Sequence, residues 1–121
     1  MPDALTKLGK NLMAYSLKST RDWGYPTHME TGSGTTPPNE DNVALESPHN
    51  NKTAFTYDAV DETAHTFKCR AYIPYGSPTN VAEVGIWVLK DGTWRLVARS
   101  TFTTQSFGTG EAGTFEGTFD W

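Results

Sequence analysis

The paired glycines of Gly32-Ser33-Gly34 are the first residues along the chain whose spacing could do chemistry, because such a loop lets backbone N–H groups close on a phosphate. A phosphate loop needs a following Gly-Lys-Ser/Thr, and a dinucleotide loop needs a third glycine that opens a helix. Neither follows, so the pair predicts a turn. His28, His49 and His65 could gather on a metal, yet no two stand at ligand spacing, and Cys69 is the only cysteine. Glu40, Asp41 and Glu46 carry the oxygen ligands calcium takes, without the regular alternation of a calcium loop, and read as a solvated acidic loop. No Gly-x-Ser-x-Gly nucleophile elbow occurs, and none of the 14 acids is marked out as a pair for glycoside cleavage. These residues predict no catalytic group, no metal and no cofactor. A small hydrolase working with two acids would need a concave pocket and a carboxyl group of raised pKa.

The aromatic residues are the stronger candidates for binding. Trp23, Trp87, Trp94 and Trp121, with Tyr25, Tyr57, Tyr72 and Tyr75, could form a platform for sugar rings or an anchor for another subunit. Trp87 is the informative one, since it alternates with Val84, Ile86 and Val88. In a sheet covered on one face only it is exposed; in a sheet covered on both faces it is core. The prolines of 32–38 pre-order that loop, which would then lose little entropy on docking.

The elements that must position these residues are mostly strands. Leu5, Leu8, Leu12 and Tyr15 recur at spacings of three and four and predict one helix over about residues 5–19. Asp3 or Thr6 would cap it, and Gly24 and Pro26 follow it. A short strand is expected from 26 to 31, then the Gly/Pro loop. A polar stretch over 39–48 follows, in which Val43 and Leu45 tuck onto the core. Residues 52–60 and 63–74 read as two strands. In the second, His65, Phe67, Cys69, Ala71 and Ile73 share the apolar face, which makes Cys69 a buried, inert thiol. The run 81–90 turns back at Asp91-Gly92, a dipeptide suited to the positive φ values of a tight hairpin. Its partner, 94–103, sets Leu96, Ala98 and Phe102 against Arg95, Arg99 and Thr103. A loop over 105–113 leads to a last strand with Phe115, Phe119 and Trp121 on one face, which ties the C-terminus into the sheet. The expectation is a mainly β chain: one domain over 1–121, an antiparallel β-sandwich of five to seven strands with one N-terminal helix.

At 121 residues with a net charge of −4 and scattered basic residues, the chain does not fit a protein that grips nucleic acid through its phosphates. It carries no signal-peptide pattern and no run of about 20 apolar residues that would cross a membrane.

Read in order, four segments share a pattern: Leu5-Thr6-x-x-Gly9; Thr27-His28-Met29-x-Thr31-Gly32-x-Gly34-Thr35; Val43-Ala44-Leu45-x-Ser47; and Val81-x-Glu83-Val84-Gly85-Ile86, followed by Asp91-Gly92 and Leu96-Val97-Ala98-Arg99. This order resembles the N-terminal, baseplate-attachment domain of phage tail-collar and tail-fibre proteins. The third element stands at altered spacing, and Trp121 falls where the family's fibre shaft would be expected to begin. The resemblance implies a structural protein of a tailed-phage particle, made in the host cytoplasm and residing in the virion. It would act through contacts with other virion proteins and as a homo-oligomer: tail or fibre attachment, baseplate adaptor, or capsid decoration. It implies no catalytic residues and no cofactor. The interface candidates are Trp87, Tyr72, Tyr75, Gly32, Gly34, Pro37 and Pro38, and the alternative is a carbohydrate-binding β-sandwich module.

Overall fold

The structure, a computed structural model, describes residues 3–5, 26–61 and 66–120. Strands dominate it: β1 Asp3–Leu5, β2 His28–Gly32, β3 Thr53–Ala54, β4 Thr56–Asp61, β5 Thr66–Pro74, β6 Thr79–Lys90, β7 Thr93–Phe107 and β8 Ala112–Asp120. They form two antiparallel sheets, a five-stranded one ordered β1-β7-β6-β2-β3 and a three-stranded one ordered β4-β5-β8. The helix expected over 5–19 lies outside the described residues except for Leu5, which closes β1 beside Ala98; Asp3, one of its expected caps, pairs with Ser100 in the same strand.

One apolar core joins the sheets. Met29, Val84, Ile86 and Val88 from the larger sheet cluster with Cys69, Ala71, Ile73 and Phe115 from the smaller. The period-two pattern of β5 does what its sequence predicts, burying Cys69, Ala71 and Ile73 and exposing Lys68, Arg70 and Tyr72. Burial raises the Cys69 thiol pKa to about 12, which keeps it a thiol, as expected for an inert residue. The β6–β7 hairpin turns at Asp91 and Gly92, with φ values of 51° and 76°.

Three expectations need correction. The single strand expected over 52–60 is two, because the chain changes sheet between β3 and β4. Phe55 sits at this corner, its N–H donating to the Thr27 carbonyl at 3.0 Å while its ring packs on the core. Strand β7 does not alternate simply: Trp87 pairs with Leu96 and Ile86 with Ala98, so Val97 is an extra residue and the facing reverses there. Leu96 and Arg99 consequently share a face that plain alternation assigns to opposite sides. Val43 does not tuck onto the core. It is 83% exposed, and Leu45 alone of that pair is buried.

Candidate functional site

Strand β6 is buried continuously from Val81 to Val88, so its second face is covered as well as its first. That second face carries Glu83, Gly85 and Trp87 from β6, His28, Glu30 and Gly32 from β2, and Leu96 and Arg99 from β7. Residues 33–50 lie across it. Gly85 makes the seat: a Cβ there would stand 2.7 Å from Leu45 Cδ2, and Leu45 fills the space with Trp87 and Leu96.

Glu83 is the hub, fully buried and surrounded by donors. Its Oε1 accepts from the Glu46 N–H and Arg99 Nε, both at 2.9 Å. Its Oε2 accepts from the Gly34 N–H at 2.7 Å and the Ser47 N–H at 2.9 Å. A carboxylate has about four acceptor positions, and all four are taken. Burial pushes the Glu83 pKa up, but the Ser47 N–H, the Arg99 guanidinium and the Glu46 and Gly34 N–H groups outweigh it and leave the carboxyl below its ordinary range. Gly32 and Gly34 are there for close approach: a Cβ on either would collide with the Glu83 carboxylate. Arg99 is equally buried and gives Nη1 to Asn42 Oδ1 at 3.3 Å. Glu46 repeats the motif at the surface. The Thr36 hydroxyl, then the Thr36 and Thr35 N–H groups, bind its carboxylate and hold its pKa low.

The same strap is fixed along the edge of β2. Ser33 N–H donates to the Ser47 carbonyl and His49 N–H to the Thr31 carbonyl, each at 2.9 Å, before β3 resumes the pairing. Beneath it, the Thr31 hydroxyl meets Tyr75 Oη and His49 Nδ1 at 2.9 Å and Asn51 Nδ2 at 2.7 Å. Burial raises the Tyr75 pKa, partly offset by its bonds to Thr31 and Asn51.

At the other end of the face, Glu30 is 1% exposed and neither of its oxygens has a hydrogen-bond partner among the described residues. The Lys52 ammonium stands 3.7 Å from Glu30 Oε2 and 4.4 Å from the centroid of Trp87.

The expected interface residues therefore separate. Tyr72 is 66% exposed on the open face of the smaller sheet, Pro37 is exposed and Pro38 half-buried. Trp87, at 6% exposure, and Tyr75 are core on the covered reading of the sheet, and Gly32 and Gly34 are buried against Glu83. Of the three histidines, His65 lies outside the described residues, and His28 and His49 belong to different contacts, with Trp94 and with Thr31. Among the described residues no three His, Cys, Asp or Glu side chains converge as a metal group. Glu30, Lys52, Glu83 and Arg99 carry the site's charge, and none was singled out by residue type. The available signal was Glu83 alone among the apolar residues of 81–88, a charge that a doubly covered strand must pair.

Comparison with protein-family models, with curated proteins and with solved structures finds no match.

Proposed function

We propose that this chain is a structural protein of a tailed-phage particle, acting by attachment to neighbouring virion subunits at the tail, fibre or baseplate or as a capsid decoration. One observation carries the reading. Gly32-x-Gly34, Leu45-x-Ser47, Glu83-Val84-Gly85 and Arg99 bear the resemblance to the tail-collar and tail-fibre attachment domain, and they meet in space around the Glu83 carboxylate. Short motifs whose order alone was specific thus become one constellation with a common job: to hold the 33–47 strap in a fixed shape on the sheet. A carboxylate with every acceptor position filled has none left for proton transfer or a ligand, which favours a role by contact and not by catalysis. The strap presents Thr35, Thr36, Pro37 and Val43 to solvent on a pre-ordered loop, a low-entropy docking surface for another virion protein or a second copy of the chain. In this reading the two sheets and the N-terminal helix together make the sandwich of the attachment domain.

The carbohydrate-binding alternative loses Trp87 from its platform, since that ring is covered and Lys52 occupies its face. The test is immunogold electron microscopy of purified particles from the phage that encodes the chain, with antibody against the recombinant protein. Gold at one particle location is the expected result, and its position separates tail from capsid. Particles that carry neither label nor peptides of the chain by mass spectrometry would overturn the reading.

A further inference from the structure

We propose that Glu30, Trp87 and Trp94 form an alkylammonium-binding cage which Lys52 fills from within the same chain. A carboxylate as deeply buried as Glu30 needs a cation, and its counter-charge is the Lys52 ammonium at 3.7 Å, an ion pair too long for a hydrogen bond. The ammonium is also 4.4 Å from the Trp87 centroid and 5.6 Å from that of Trp94. Two indole rings and a carboxylate around one nitrogen are the chemistry that recognises alkylammonium groups. Because neither Glu30 oxygen takes an N–H hydrogen bond among the described residues, N-methyl groups can replace the ammonium hydrogens with no such bond given up, so methylated ammonium ions belong to the ligand class.

The walls and the occupant come from different parts of the fold. Glu30, Trp87 and Trp94 stand on β2, β6 and β7, and Trp94 is braced edge-on by His28 at 4.8 Å. Lys52 comes from the segment that joins the strap to the two-residue β3 and is 25% exposed, so the cage opens to solvent where Lys52 enters. A preformed site on strands with a separable occupant can exchange it. An external alkylammonium that enters must expel Lys52, and by linkage it loosens the segment after the strap that Lys52 pins to the sheet.

The experiment is titration of Lys52→Ala with tetramethylammonium chloride against sodium chloride at equal ionic strength, followed by tryptophan fluorescence and by melting temperature. Tetramethylammonium is expected to give a saturable fluorescence change and to raise the melting temperature by roughly 3 °C or more, with sodium chloride giving neither. In the native chain the tethered ammonium competes, so the midpoint moves to roughly tenfold higher concentration or beyond. Glu30→Gln added to Lys52→Ala abolishes the response. Identical curves for the two salts, or a response indifferent to Glu30→Gln, would overturn the proposal. Should Lys52→Ala fail to fold, lysine-labelled native protein answers by NMR: the ring-shifted Lys52 side-chain signals move toward ordinary values as tetramethylammonium is added, and unmoved signals would equally overturn it.

Discussion

The two faces of strand β6 are both buried, and they are buried by different physics. Val84, Ile86 and Val88 meet the smaller sheet through apolar contact, which is non-directional and tolerant of exchange among side chains of similar volume. Glu83, on the reverse face, is held by four directed hydrogen bonds, of which the one from Arg99 is also an ion pair. The first arrangement fixes how far apart two layers sit. The second fixes the path of one particular loop, because three of the four donors are backbone N–H groups at Gly34, Glu46 and Ser47. Specific shape on this protein therefore resides in the polar face.

A near-isosteric change on each face makes that contrast measurable. Glu83→Gln keeps the volume but leaves Arg99 as a buried, uncompensated charge and puts an amide where four donors converge; chemical denaturation should show a loss of about 3–5 kcal/mol. Protonation removes the same charge without mutation. The folded pKa of Glu83 lies below its ordinary 4.5, so its contribution is complete above that value and is lost as pH falls through 4.5 towards the folded pKa. Acid titration of stability should accordingly fall less steeply in Glu83→Gln than in the native chain. A parallel decline in both would place the acid sensitivity elsewhere.

Gly34→Ala probes the same contact from the loop side. Its Cβ would meet the Glu83 carboxylate and Glu46 Cβ, and the overpacking should cost about 1–3 kcal/mol in the same assay. On the apolar face, Ile86→Val deletes one methylene with no directed partner and should cost about 0.5–1.5 kcal/mol. If Ile86→Val cost as much as Glu83→Gln, the two faces would not differ in kind.

The apolar face was readable from sequence and most of the polar one was not. Period-two alternation identifies Cys69, Ala71 and Ile73 without further information, and Asp91-Gly92 announces its own turn, because each signal is local. Alternation sets Arg99 opposite Leu96, because it counts residues and cannot register the extra Val97 that reverses the facing. Glu83 stood in the sequence as a charge in an apolar run, but its partners are 16, 36, 37 and 49 residues away, and no local pattern joins them. Glycine spacing marked Gly32 and Gly34 as a turn. Their reason, closeness to a carboxylate, appears only when β6 lies beside β2.

The most direct measurement of the central claim is amide hydrogen exchange at Gly34, Glu46 and Ser47. A strap clasped by Glu83 predicts slow exchange at all three in the native chain, comparable with the β6 amides, and joint acceleration in Glu83→Gln while β5 and β8 keep their protection. Rapid exchange of these three amides in the native protein would contradict it.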